Sequence, residues 1–351
     1  MAPAERVIPD PKGHQAASPA QIPALGWKDI AKRTWKRTWD DNVGLVAAGV
    51  AFYGFFALLS LLGIVVLVYG FAADPRLVIR DVHGLTAILP TDVASLIGSQ
   101  LMTAVETSEG KKGAALLLAL AVGLYGGTNG AAATITSLNI AYEEKEKRSL
   151  FVFYLTALGM TVSAIVLALV MLSATTAAAA LGKLVPYASD ATVIAGKVLT
   201  DIGLVLVAAA VAATLYRYGP SREDAKWKWI TPGSAFTAVS WLILTLLFGV
   251  YVSNLTNYSV TYGSLGAVVA LLTWLYLSAY AFVFGAELNS EIEHQTAKDS
   301  TTGSPEPMGD RGAWAADNLA TDDKVQDRPE EKREGERLTK AQPQVAEEEE
   351  G

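Results

Sequence analysis

Residues 262–289 read YGSLGAVVALLTWLYLSAYAFVFGAELN, an apolar run with no charged side chain between residues 265 and 286. At about 1.5 Å of rise per residue, a helix of this length spans the roughly 30 Å hydrocarbon core of a bilayer. A long helix of a soluble protein would carry a polar face, which this run lacks. The stretch therefore predicts a transmembrane helix.

The same apolar character recurs in five further runs, at about 43–72, 113–141, 151–181, 197–216 and 232–253. None of them alternates polar and apolar residues as the strands of a membrane β-barrel do. An α-helix, by contrast, satisfies its own backbone hydrogen bonds within lipid. The sequence predicts an all-α, polytopic membrane protein with six transmembrane helices.

Basic residues indicate which ends of the spans face the cytoplasm, because Lys and Arg accumulate on that side. The loops of one side hold twelve basic residues and those of the other side hold six. Both termini are therefore predicted to be cytoplasmic, with segment 73–112 outside. The twelve are Lys28, Lys32, Arg33, Lys36, Arg37, Lys145, Lys147, Arg148, Arg217, Arg222, Lys226 and Lys228; the six are Arg76, Arg80, Lys111, Lys112, Lys183 and Lys197.

The two ends of the chain differ in composition from the six-helix domain, residues 27–294. The head, residues 1–26, has five prolines and no apolar run, and the tail, residues 295–351, carries the whole net charge of −7. Segments this polar bury too little surface to offset their ordering entropy, so both are predicted to be disordered. The chain has no cysteine, which excludes disulfides and thiolate-bound metals, and no cofactor is predicted.

Residues 27–39, WKDIAKRTWKRTW, predict an amphipathic helix at the cytoplasmic interface. Its indoles would lie at headgroup depth while its cations face anionic lipid. Two interpretations stay open, lipid recognition and a plain anchor for the first span. A second amphipathic stretch, residues 91–106, is predicted in the outer segment. The residues assigned to the membrane interface are Trp27, Trp35, Trp39, Lys32 and Lys36.

Span two contains the stretch GLYGGTNG, residues 123–130. Its glycines form two overlapping Gly-x-x-x-Gly pairs, which let another helix approach closely, either in the same chain or in a second copy. A homo-oligomer therefore stays open. The same glycines could instead loosen the helix beside Thr128 and Asn129 and expose backbone to a cavity. Asn129 needs a partner in either case, because an unpaired amide in lipid is costly.

Other polar side chains within or at the ends of the spans are candidates for a substrate pathway. Asp201 lies a few residues into span four, where pairing with Lys197 is the alternative to a proton or cation site. Tyr262 belongs either to this pathway or to an outer aromatic belt. The full set of candidates is Asn129, Thr128, Asn139, Asp201, Glu287, Asn289 and Tyr262, and no catalytic residue or metal ligand is predicted.

Four stretches carry a family resemblance: Tyr262–Asn289, Ala51–Tyr53, Leu138-Asn139 before a charged turn, and Pro232–Ala235. Their order and spacing resemble the YihY/BrkB family of bacterial inner-membrane proteins over roughly residues 30–292. The resemblance implies a six-span fold in the bacterial cytoplasmic membrane, and it links the chain to envelope-lipid export, serum resistance and transport. Ser60 stands where the family usually has a helix-kinking proline, so the first span is expected to be straighter.

An older family label, ribonuclease BN, does not fit these residues. The histidines, His14, His83 and His294, fall on different sides of the membrane or in stretches predicted to be disordered, so they are not expected to form one metal site. There is no basic groove with interleaved aromatics for RNA, and no nucleic-acid partner is expected. The chain also lacks a Gly-x-x-x-x-Gly-Lys-Ser/Thr loop for ATP.

Three function classes remain. The preferred one is a secondary transporter or exporter of a lipid-like or other amphipathic envelope molecule, based on intramembrane polarity and on family analogy. The second is a non-catalytic membrane scaffold or accessory subunit. The third, a lipid-modifying enzyme, lacks a nucleophile–base pair in the sequence, so the protein is not expected to be an enzyme. The expected partners are membrane lipids and an amphipathic substrate.

Overall fold

The computed structural model of the protein describes residues 10–72, 112–182, 190–254 and 264–320. A short 3-10 turn, Pro19–Gln21, precedes the first α-helix. The described part has no β-strand and only a single antiparallel bridge, between Ala225 and Thr301, so the all-α class is confirmed. The α-helices are α1 (Ala24–Asp40), α2 (Val43–Ala72), α3 (Lys112–Ala141), α4 (Leu150–Gly182), α5 (Asp190–Tyr218), α6 (Trp227–Asn254), α7 (Ser264–His294) and α8 (Trp314–Asp317).

Four of these helices are long and apolar enough to cross a membrane. The stretches are Leu150–Met171 in α4, Val198–Tyr218 in α5, Trp227–Tyr251 in α6 and Val268–His294 in α7. Helix α1 and the first part of α2, which are bent by 65° relative to each other, make a fifth if the pair counts as one span. The sequence predicted six spans, and the described residues support four or five. Helix α3 is not among them, and the side chains of most of its N-terminal third lie outside the described residues.

Helix α7 is the centre of the packing. It contacts α6, α2, α3 and α1, while α2 packs on α3, α3 on α4, and α5 on α6. The long helices therefore follow one another in space as α4, α3, α2, α7, α6 and α5. This order makes α7 the link between the group α2, α3 and α4 and the pair α5 and α6.

Glycines set the closest helix contacts. A Cβ on Gly130 of α3 would lie 2.8 Å from the Cβ of Ala57 on α2, and a Cβ on Gly127 would overlap Thr161 of α4. Small residues of the GLYGGTNG stretch thus serve close packing within one chain. The α6–α7 crossing is tighter still, since a Cβ on Gly233 would overlap the carbonyl oxygen of Gly285.

The ends of the chain are more ordered than composition predicted. Residues 10–26 and 295–320 pack together over the end of α7, where Ala297 N donates to His14 O (2.7 Å) and Gln295 Nε2 to Lys12 O (2.9 Å). The buried Arg311 donates to the carbonyl oxygens of Glu306, Ala297 and Ala316. Hydrogen bonds to each other and to the end of α7 order these polar segments, although they contain few apolar side chains. Residues 1–9 and 321–351 lie outside the described residues.

Gly233→Val is expected to lower the thermal midpoint of the protein, because overpacking against a backbone carbonyl costs roughly 1–3 kcal/mol or more. Gly249→Val, on the same helix, is the matched control, since no atom lies within 4 Å of its Cβ position. The measurement is the fraction of monodisperse protein that survives heating in detergent, followed by size-exclusion chromatography. Equal midpoints for the two variants would contradict the contact.

Candidate functional site

Most buried charged and polar groups of the described residues meet at one end of the bundle, here called the polar end. It comprises the α1–α2 junction, the α3–α4 turn (142–149), the α5–α6 loop (219–226), the last turns of α7 and the segments 10–23 and 295–320. The loops that the sequence grouped on the basic side are thus in contact with one another.

An ion pair between Arg222 and Glu293 lies at the centre of the polar end. Arg222 Nη2 is 2.7 Å from Glu293 Oε2, and the two side chains are 1% and 0% exposed. Ser300 Oγ donates to the same carboxylate oxygen at 2.7 Å, and the guanidinium lies 4.8 Å from the ring centroid of Tyr142. The pair therefore joins the α5–α6 loop, α7, the C-terminal segment and the start of the α3–α4 turn.

Both members of the Arg222–Tyr142 contact keep their ordinary protonation at neutral pH. Burial acts to lower the pKa of Arg222, but the charge and hydrogen bond of Glu293 outweigh burial and raise it. Burial, followed by the charge of Glu293, raises the pKa of Tyr142. A charged guanidinium thus lies against a neutral phenol, which is the arrangement that a cation–π contact requires.

Two arginines of α1 reach the end of α7. Arg33 Nε is 2.5 Å from Glu291 Oε2, and Arg33 Nη2 donates to Gln295 Oε1 at 2.7 Å. Arg37 pairs with Glu291 Oε1 at 3.3 Å and with Glu143, and its guanidinium lies 5.1 Å from the Trp314 ring. These contacts fasten α1 to α7 through the nearly fully buried carboxylate of Glu291.

Asn139, a predicted pathway residue, connects two loops. Its Nδ2 donates to Glu146 Oε2 at 2.9 Å, and its Oδ1 accepts from the backbone N–H of Ser221 at 2.7 Å. Burial acts to raise the pKa of Glu146, but the hydrogen bonds from Arg148 and Asn139 outweigh it and lower the pKa to about 2. The amide of Asn139 is thus used for joining the α3–α4 turn to the α5–α6 loop.

Asn289, a second pathway candidate, compensates for a proline. Pro232 inside α6 has no N–H to donate, and its ring disturbs the preceding turn. The fully buried Asn289 accepts from Gly233 N (2.7 Å) and donates to Ile230 O (3.0 Å), so its carboxamide satisfies backbone groups on both sides of Pro232. Glu287, one turn towards the middle of α7 from Glu291, is 1% exposed, and its charge contributes to the raised pKa of Tyr142.

Asn129 and Thr128 lie apart from the polar end, near the middle of α3, and both are half-buried. Asn129 Nδ2 donates to Tyr125 O of its own helix at 2.9 Å. Among the described residues this is the only hydrogen bond of the Asn129 side chain. The side chain of Asp201 and the whole of Tyr262 lie outside the described residues, so these two candidates stay predictions.

The residues assigned to the membrane interface lie on α1. Trp35 and Trp39 are exposed, as are Lys32 and Lys36, while Trp27 is half-buried against Ile30 and its neighbours. The predicted outer amphipathic stretch, residues 91–106, lies outside the described residues.

Sequence reasoning missed the central ion pair. Arg222 was considered only as a loop charge, and Glu291 and Glu293 were not singled out at all. The signal was the run ELNSEIEH, residues 287–294, which ends an apolar helix with three carboxylates. Buried carboxylates need cationic or hydrogen-bonding partners, so this run required arginines from elsewhere in the chain.

Two histidines also lie at the polar end. His294 Nδ1 is 3.4 Å from Glu291 Oε2 and its ring centroid is 5.0 Å from that of Trp314, whereas His14 contributes its backbone oxygen to Ala297. In the described ranges, no three His, Cys, Asp or Glu side chains are grouped so as to hold a metal ion.

Comparison with known proteins gives one family. The sequence model described as "Virulence factor BrkB" matches residues 34–309, which extends the resemblance past residue 292 into the C-terminal segment. The chain is 30% identical over 243 residues to the "Putative ribonuclease-like protein YfkH" of Bacillus subtilis, covering 67% of this chain and 86% of that protein. It is 28% identical over 286 residues to a "UPF0761 membrane protein" of Albidiferax ferrireducens, covering 77% of this chain and 65% of that protein.

No solved structure matches the chain. The family match covers α2 to α7 and most of the polar end. The apolar helices and the match to membrane-protein relatives agree in making this a multi-pass membrane protein. The chain belongs to the BrkB virulence factor family.

Proposed function

We propose that the protein is a secondary transporter or exporter of a lipid-like or other amphipathic envelope molecule. In this proposal six helices cross the bacterial cytoplasmic membrane, and both termini lie in the cytoplasm. The sixth span is α3, whose Thr128 and Asn129 would offer polar groups to a pathway.

The observation that carries the proposal is the state of Asn129. Its amide makes one hydrogen bond within α3, and no described residue donates to its Oδ1. A carboxamide at membrane depth is costly unless its remaining groups find partners. Water or a bound polar headgroup would supply these partners. The hydroxyl of the adjacent Thr128 could bind the same water or headgroup.

In this proposal the polar end closes the cytoplasmic end of the substrate pathway. Its buried pair, Arg222–Glu293, connects the α5–α6 loop to α7, and Asn139 connects the same loop to the α3–α4 turn. A transporter must close one end of its pathway while the other is open. The network would perform that closure, and Glu287 would lie at its membrane side.

A scaffold or accessory subunit is the second candidate, and a specific observation favours it. The amides of Asn139 and Asn289 each donate one hydrogen bond and accept one in contacts between loops and helices, as expected for structural residues. The two candidates differ in what they require at Asn129. A scaffold needs no ligand there, whereas a transporter does.

Native mass spectrometry of the gently extracted protein tests the proposal. Wild-type protein is expected to carry a stoichiometric amphipathic molecule. Asn129→Leu is expected to lower the affinity for this molecule about tenfold or more, since an unpaired buried polar group costs about 1–3 kcal/mol. Thr136→Val is the matched control, because Thr136 also bonds only within α3 in the described structure but is exposed. A bare wild-type protein, or equal adducts in all three proteins, would contradict transport at this site.

The topology is tested by a single cysteine, which the cysteine-free chain makes unambiguous. Lys147 is 60% exposed on the α3–α4 turn. Lys147→Cys is expected to react with an impermeant maleimide in inside-out vesicles and to stay unlabelled in right-side-out ones. The reverse pattern would place the polar end outside and contradict the proposed orientation.

The gate is tested by the reactivity of Ser290→Cys, a buried position one turn before Glu293. Arg222→Gln is expected to raise its labelling rate by about tenfold or more, since removing one partner of a buried pair costs about 3–5 kcal/mol. Asp29→Asn is the control, because Asp29 pairs with Lys12 in a more exposed place outside this network. Equal rates in both backgrounds, at equal monodispersity, would contradict a gating role.

A further inference from the structure

Helix α1 carries five cations between residues 28 and 37, and the structure divides them into two sets. Arg33 and Arg37 point to α7 and the α3–α4 turn, where they pair with Glu291 and Glu143. Lys28, Lys32 and Lys36 are exposed. The arginines are therefore structural, and the lysines are available to an outside partner.

The faces of α1 explain this division. Gly26, Ile30, Thr34 and Thr38, four residues apart, form its buried face. At 100° per residue, the three lysines form a row on the opposite side of the helix, next to Trp35 and Trp39. These two indoles are 59% and 68% exposed and contact each other edge to face, with centroids 6.1 Å apart.

The bend after Asp40 sets the inclination of α1 to the spans. Helix α1 is inclined by 65° to the first part of α2, so it lies closer to the bilayer plane than to the normal when α2 crosses the membrane. Indoles then reach headgroup depth beside a row of ammonium groups. Asp29, which lies beside the row, pairs with Lys12 at 3.0 Å, which reduces its effect on the lysines. A second acid, Asp40, follows Lys36 by one turn at the end of the helix.

We propose that the outer face of α1, consisting of Lys28, Lys32, Lys36, Trp35 and Trp39, is a docking surface for anionic phospholipid headgroups. A plain apolar anchor would need the indoles alone, whereas the row of three lysines at four-residue spacing gives a charge that matches anionic phosphates. The inference does not depend on the proposed transport function, because it concerns a different surface.

The test is native mass spectrometry of the full chain in detergent, titrated with phosphatidylglycerol or with phosphatidylcholine of the same acyl chains. Wild-type protein is expected to prefer phosphatidylglycerol. The Lys28→Gln/Lys32→Gln/Lys36→Gln variant is expected to lose about fivefold in affinity for each lysine removed. Lys145→Gln/Lys147→Gln/Lys298→Gln, which removes three exposed lysines elsewhere at the same end, is the matched control.

Two results would overturn the docking surface. One is equal binding of the two lipids by wild-type protein, which would leave only apolar anchoring. The other is an equal loss of phosphatidylglycerol affinity in the test and control variants, which would show that the binding depends on net charge and not on α1. Retained preference in the control together with its loss in the test variant supports the surface at α1.

Discussion

The rest of the polar end depends on the buried pair between Arg222 and Glu293. Two charges removed from water are tolerated only when geometry and additional hydrogen bonds compensate for lost hydration. Ser300 and the ring of Tyr142 supply those contacts, and they come from two other parts of the chain. Four parts of the chain must therefore assemble together: the α5–α6 loop, the end of α7, the C-terminal segment and the α3–α4 turn. This requirement explains why polar residues after His294 are ordered although they contain few apolar side chains.

The bundle combines two kinds of contact along its length. At the polar end, arginines, carboxylates and amides from distant parts of the chain pair with one another and join the loops. Further along the helices, close approach of small residues replaces charge, as where Gly130 meets Ala57 and Gly233 meets Gly285. Without a hydrophobic driving force between helices in lipid, such close packing is the main source of their association. Among the described residues, the Asn129 side chain bonds only to Tyr125 O of its own helix.

Sequence patterns predicted the features that depend on local composition. The apolar runs predicted the helices, the Gly-x-x-x-Gly spacing predicted close packing, and the repeat in residues 27–39 predicted a helix with exposed Trp35 and Trp39. The pairings of Arg222 with Glu293 and of Arg33 with Glu291 join residues that are 71 and 258 positions apart, and no local pattern gives such partners. The same limit applies to Asn289, whose role is defined by Pro232 on another helix. Helix α2 continues through Ser60, where a proline was expected from the family.

The hydrogen bonds of Asn129, Asn139 and Asn289 differ in whether they connect separate elements of the fold. The amides of Asn139 and Asn289 each donate and accept across elements, so an apolar replacement would leave backbone or carboxylate groups without partners. The amide of Asn129 serves only its own helix, and a leucine there would leave no other described group unsatisfied. Among the described residues no contact between elements requires Asn129, and the proposed function offsets its cost at membrane depth with a partner from outside the fold. This contrast is why the proposed function puts the pathway at α3 and the closure at the polar end.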